Sequence, residues 1–191
     1  MTQGRIIILS GTPGVGKSTI SQLVAESPSM GKTVLLHMDD FYDMLVKGCI
    51  PPYLPESDDQ NRTVIEAIAA AAKCFACDGY DVIVDGVFGP WLLDAWQRAA
   101  DLGTPVHYVI LHAAEQETLR RAVSRSKLGA MVNTTLVETM WPQFNEPWPY
   151  EKHVLDTTAL TAQQTCSEVC RLIRDGGCLL AGFARPELPC R

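Results

Sequence analysis

Apolar residues along the chain fall into two rhythms that alternate from the first residues to about position 174. Short β-branched runs at 5–10, 33–38, 80–86, 106–111 and 153–158 predict five strands, buried on both faces because they lack polar alternation. Between them, stretches with apolar positions at helical spacing predict helices from 19, over 63–76, 92–102, 115–127 and 135–144, and last over 161–174, where Thr161 is the expected cap. Gly79 stops the second of these helices, and the run from 176 is broken by Gly and Pro and expected to be poorly ordered. Strands alternating with helices predict a three-layer α/β/α sandwich.

One junction departs from ordinary turn chemistry. Gly11-Thr12-Pro13-Gly14-Val15-Gly16-Lys17-Ser18 joins the first strand to the first helix and fits G-x-x-x-x-G-K-[ST]. Its glycines free the backbone to ring an anion with N–H groups. Lys17 brings a mobile charge to β- and γ-phosphates, Ser18 a hydroxyl for Mg²⁺, and the helix beginning near Thr19 the positive end of its dipole. A plain glycine-rich turn is the competing reading.

Ligands of open α/β sheets lie beyond the carboxyl ends of strands, so the residues ending each strand are the next candidates. Asp39 and Asp40 follow the second strand, one to take the proton of an attacking hydroxyl and the other, with Phe41 beside them, to orient substrate or metal-bound water. A helix N-cap is the alternative for either acid. Asp85 closes the third strand as a candidate for holding Mg²⁺ through water. Gly86 and Gly89 then keep the backbone open for substrate, with Phe88 and Trp91 as walls or as plain core.

Residues 40–61 form a substrate-facing insert rich in Pro, aromatics and acids, and Arg62 at its end either reaches back to a substrate anion or is solvated. Arg120, Arg121, Arg125 and Lys127 stud the helix over 115–127. Arg121 and Arg125 share a face and lead into a lid at about 121–135 that closes over the transferring group, unless that face merely pairs with Glu115 and Glu117. His107 and His112 lack a companion nucleophile and read as structural.

Composition narrows the partners. The 191 residues are 47% hydrophobic with a net charge of −6 and no dense basic run, which fits one domain over 1–191 and a small-molecule partner and argues against a nucleic-acid binder. Seven cysteines without a secretory leader, and no apolar run of membrane-spanning length, lead us to expect a cytoplasmic protein free of disulfides and membrane contact. Cys74 with Cys77, and Cys166 with Cys170, are expected to pack in the core.

Taken with Met38-Asp39-Asp40, with 83–88 closing the third strand and with 154–158, the 11–18 loop resembles the P-loop small-molecule kinases over residues 6 to about 169. The likeness is greatest to the chloramphenicol phosphotransferase-like and gluconate/shikimate kinase-like groups. The resemblance implies a P-loop NTPase fold with a parallel sheet in the order 2-3-1-4-5, and ATP and Mg²⁺ as cofactors. It implies the general base at Asp39 with Asp40 as the alternative, a substrate-anion arginine at Arg62, lid arginines at Arg121 and Arg125, and adenine packing at Thr157 and Thr158. The expected activity is transfer of the γ-phosphate to a hydroxyl of a small molecule. A nucleoside or polynucleotide-end kinase and a nucleotide-dependent regulatory NTPase are the rivals.

Overall fold

Parallel strands cannot be joined by tight turns, so each crossover returns through a helix laid on a face of the sheet, and both faces are buried. That constraint accounts for β1 (Arg5–Ser10), where Ile6, Ile7, Ile8 and Leu9 are all fully buried. The computed structural model describes residues 3–123, 130–144 and 149–180. Beside β1 it contains β2 (Lys32–His37), β3 (Tyr80–Asp85), β4 (Val106–His112) and β5 (Val154–Asp156), all parallel in the order β2-β3-β1-β4-β5. The order implied by the resemblance is the observed one.

The pleat sends alternate side chains to opposite layers. Ile7, Leu9, Ile83, Val109 and Leu111 meet α1 (Lys17–Ala25) and α7 (Ala162–Asp175) through Ile20, Val24, Val169 and Ile173. Ile6, Ile8, Val82, Val84, Tyr108 and Ile110 meet α3 (Asp58–Cys77) and α4 (Asp94–Asp101) through Ile65, Ile68, Ala72 and Trp96. The short α2 (Met38–Asp43), α5 (Glu115–Val123) and α6 (Ala130–Met140) complete the described helices. Among the described residues no helix is long and apolar enough to cross a membrane.

Several boundaries moved for physical reasons. α3 starts at Asp58, ahead of the expected 63, because a 3₁₀ turn over Pro55–Ser57 leads into it and Asp58 and Asp59 suit the positive end of a helix. The helix expected over 135–144 begins at Ala130 and gives way to a 3₁₀ turn at Pro142. α7 begins as expected at Thr161, whose side chain accepts from Gln164 N–H in a capping box.

Of the run after Gly176, residues 178–180 are paired to the sheet, and 181–191 lie outside the described residues. β5 covers β4 only from Ile110 to His112, so the backbone groups on the earlier edge of β4 take other partners. Tyr108 N–H donates to Cys178 O at 2.8 Å, Leu180 N–H donates to Val106 O at 2.9 Å, and Leu179 bridges His107 antiparallel. The cysteine expectation also needs correction: Cys166 and Cys170 are buried, but Cys74 is exposed and Cys77 half-buried on α3.

Candidate active site

The loop over 11–18 turns back on itself through three glycines at positive φ: Gly11 at 137°, Gly14 at 86° and Gly16 at 110°. Two of them show a division of labour. A Cβ on Gly14 would fall 2.9 Å from Ala122 Cβ on α5, whereas one on Gly16 would meet nothing within 4 Å. Gly14 seats the loop and Gly16 leaves space in front of it.

Gly16 is also the N-cap of α1 and provides no side-chain cap, so the open N–H end of a nine-residue helix faces the same region. Lys17 Nζ donates to Gly11 O at 2.9 Å and Thr12 O at 3.0 Å, which holds its charge within the loop. Thr12 and Val15 are buried, Pro13 is half-buried, and Ser18 and Thr19 are exposed on the first turn of α1. Open backbone donors, a lysine and an outward hydroxyl fit a triphosphate with Mg²⁺. Among the described residues no group of three or more His, Cys, Asp or Glu is placed to hold a metal unaided, so a cation here would lean on Ser18, phosphate oxygens and water.

Asp85 is buried at the end of β3, and both of its oxygens are occupied. Oδ1 lies 2.7 Å from His37 Nδ1, and Oδ2 lies 3.1 Å from the Ser21 hydroxyl. Ser21 Oγ is also 3.0 Å from Ser18 O, so the carboxylate reaches the first turn of α1 through one serine. A buried carboxylate requires such partners. The sheet register makes the arrangement possible, because His37 pairs with Asp85 and Asp85 with Leu9, bringing the ends of β2, β3 and β1 level. Nothing in the sequence singled out His37, since its partner depends on which strands are neighbours.

Directly beyond β2, Asp39 and Asp40 occupy the first turn of α2, both exposed. The N-cap is His37, which makes no side-chain cap, so neither acid serves as the cap that was the alternative for them. Buried Tyr42 has its phenol pushed up to about 12, first by burial and then by the charge of Asp39, and donates to Asn61 Oδ1 at 2.7 Å. Phe41 is half-buried against the core. Arg62 is exposed in the second turn of α3.

The turn after β3 is packed from below. A Cβ on Gly86 would come within 2.7 Å of Met38 Cβ, so the Gly86 backbone lies directly on α2. Phe88 does not line an opening: its ring is fully buried, edge-on to Trp96 at 5.5 Å, and its carbonyl accepts from Ser10 Oγ at 2.8 Å and Tyr108 OH at 2.6 Å. Only Trp91 of the two expected walls is exposed.

On the far side of the loop, Arg121 is a brace. Its guanidinium donates to Glu117 at 2.7 Å, Val15 O at 3.1 Å, Thr157 Oγ1 at 3.2 Å and Thr157 O at 2.9 Å, joining α5, the glycine loop and the exit of β5. Hydrogen bonds from Arg120 and Arg121 hold the Glu117 carboxyl down to about 2. The pairing with Glu117 that competed with a lid role is therefore present. Thr158 Oγ1 accepts from Ala114 N–H at 2.9 Å and donates to Asp156 Oδ1 at 2.6 Å. Arg125 lies outside the described residues, as do Lys127 and part of the expected lid.

The same fold recurs among known proteins. A family model described as "AAA domain" matches residues 7–131. A Thermococcus kodakarensis protein named "Putative adenylate kinase" is 31% identical over 177 residues, 90% of this chain and 86% of that one. Among solved structures, the Mycobacterium tuberculosis APS kinase in complex with AMPPNP and APS has a TM-score of 0.67 at 16% identity, covering 91% of this chain and 99% of that chain. A gluconokinase from Sinorhizobium meliloti has a TM-score of 0.62 at 18% identity, covering 91% and 95%. At these identities the two structures share the fold, and the family rests on the first two matches: this chain belongs to the AAA domain family and has the fold of the P-loop kinases.

Proposed function

We propose that the protein is an ATP- and Mg²⁺-dependent phosphotransferase that moves the γ-phosphoryl group to a hydroxyl of a small molecule. The observation that carries this reading is that two exposed acids, Asp39 and Asp40, follow the end of β2 level with a glycine loop that leaves open space before Gly16. In this reading the loop amides of 11–19 and Lys17 hold the phosphates, and Thr158 packs by the adenine. Arg121 and Arg125 neutralise charge on the transferring group. Ser18, and Asp85 through water, would hold the Mg²⁺, which supplies positive charge to the β- and γ-phosphate oxygens.

Asp39 accepts the proton of the acceptor hydroxyl as its oxygen bonds to the γ-phosphorus and the bond to the β–γ bridging oxygen breaks, releasing ADP. Asp40, Phe41, Arg62, Gly86 and Trp91 hold the acceptor, while Phe88 supports the turn from the core. The chain works as one domain with an insert at 40–61 and a lid at 121–135, in the cytoplasm, where its thiols stay reduced. The relative named as an adenylate kinase favours a second reading, in which the acceptor is a nucleoside or its monophosphate.

Asp39→Asn tests the base assignment. Turnover should fall by roughly 10²–10⁴-fold while nucleotide affinity is kept. Loss of nucleotide affinity with turnover retained per bound complex would remove Asp39 from that role. Assaying AMP and nucleosides beside other alcohols separates the two acceptor readings.

A further inference from the structure

Resting on the kinase reading above, we infer that the acceptor is a neutral or cationic alcohol with an apolar body, seated on the face that residues 44–54 present beside Asp39. Single exposed apolar residues are ordinary on a protein surface. Here Met44 is 66% exposed, Val46 89% and Tyr53 56%, with Leu54 at 38%, all within one short segment.

Hydrogen bonds from the start of α3 and its lead-in tie that segment down. The Gln60 side chain accepts from Ile50 N–H at 2.8 Å and donates to Ile50 O at 2.7 Å. The buried Ser57 hydroxyl lies 3.0 Å from Pro52 O and 2.6 Å from Leu54 O, and Asn61 Nδ2 donates to Pro52 O at 2.9 Å. Polar side chains at the start of α3 fix the backbone, and the large apolar side chains are left in water.

The segment begins where the short helix bearing the proposed base ends. Met44 N–H donates to Asp40 O at 3.2 Å, one helical turn away. Tyr42, whose phenol feels the charge of Asp39, bonds the same Asn61 that holds Pro52. Trp91, 49% exposed, lies against Phe144 at 6.2 Å on the segment after the Gly86 turn, where Met38 packs.

Charge sets the rest of the class. Between residues 39 and 62, exposed Asp39, Asp40, Asp43, Glu56, Asp58 and Asp59 stand against only Lys47 and Arg62. An anionic acceptor entering that field is repelled, and an amine or an uncharged alcohol is not. The face therefore selects against sugar acids and nucleoside monophosphates.

The test is calorimetry on the full chain with a non-hydrolysable ATP analogue and Mg²⁺, titrated with 3-phenylpropanol, phenylalaninol, gluconate and AMP. The two apolar alcohols should bind and the two anions should not. Val46→Ser and Tyr53→Ser should each weaken alcohol binding by about tenfold with nucleotide affinity unchanged. Nucleotide binding with no response to the apolar alcohols, or with gluconate or AMP preferred, overturns this inference alone. A concentration-dependent dimer that Val46→Ser dissolves also overturns it, because the face is then a subunit contact. Failure to bind the nucleotide analogue overturns the kinase reading as well.

Discussion

His37 Nδ1 lies 2.7 Å from Asp85 Oδ1, fastening the end of β2 to the end of β3 directly beneath the residues proposed to act on the acceptor. Asp85 is buried, so removing the imidazole takes away the side-chain partner of its Oδ1. His37→Ala should cost about 1–3 kcal/mol, read as a lower urea midpoint at unchanged slope. An unchanged midpoint would mean that the contact bears no structural weight.

Gly14 and Gly16 differ in what surrounds them, and the same substitution should separate their roles. Gly14→Ala drives a methyl into Ala122 at 2.9 Å and should lower stability by about 1–3 kcal/mol. Gly16→Ala meets no atom within 4 Å, so its structural cost is the backbone strain alone, about 1 kcal/mol, while the methyl occupies the space proposed for phosphate. Nucleotide affinity should fall at least about tenfold in Gly16→Ala. Thermal melts and nucleotide titrations on the pair read both axes, and an affinity in Gly16→Ala equal to that of the parent would place the phosphate elsewhere.

Arg121 joins three segments, and Glu117 is its anchor on α5. Glu117→Gln removes the charge that orients the guanidinium, and nucleotide affinity should fall several-fold as the glycine loop loses its brace. Arg120 also pairs with Glu117 but is exposed. Arg120→Ala should leave affinity within a factor of two, as expected of a surface ion pair. Equal effects in both variants would show that the α5 charge as a whole matters and the brace does not.

Burial lowers His107 from 6.5 to about 4, so the folded protein keeps the ring neutral where the unfolded chain would protonate it. The stability gained from this neutral ring is complete above pH 6.5 and is lost as the pH falls from 6.5 toward 4, by about 3 kcal/mol in all, with no further loss below. Urea unfolding across that window should show a shallower decline for His107→Gln than for the parent. His112 and His153 shift in the same direction and are present in both proteins, so the difference isolates His107. Parallel curves would contradict the assignment.

Much of this architecture was legible in the sequence because its physics is local. Three glycines before Lys17 allow positive φ, β-branched runs favour strands, and Asp39 and Asp85 lie at or just past strand ends whatever lies next to them. The tie between His37 and Asp85 was not legible, because it exists only once β2 lies beside β3. Phe88 was equally ambiguous as wall or core: its burial depends on Trp96 and on two hydroxyls, Ser10 and Tyr108, from other strands. Arg121 carried the right charge for its region, but its brace to Val15 and Thr157 spans three segments that periodicity does not connect. The pairing of residues 178–180 was not legible either, since it uses the edge of β4 that β5 leaves uncovered.

Isothermal titration of the purified chain with ATP in the presence of Mg²⁺, repeated with Lys17→Ala, tests the central claim most directly. The account predicts saturable one-to-one binding by the parent and a loss of at least about tenfold in affinity on removing the lysine charge. Absence of heat with both ATP and GTP, or binding that Lys17→Ala leaves intact, would contradict it.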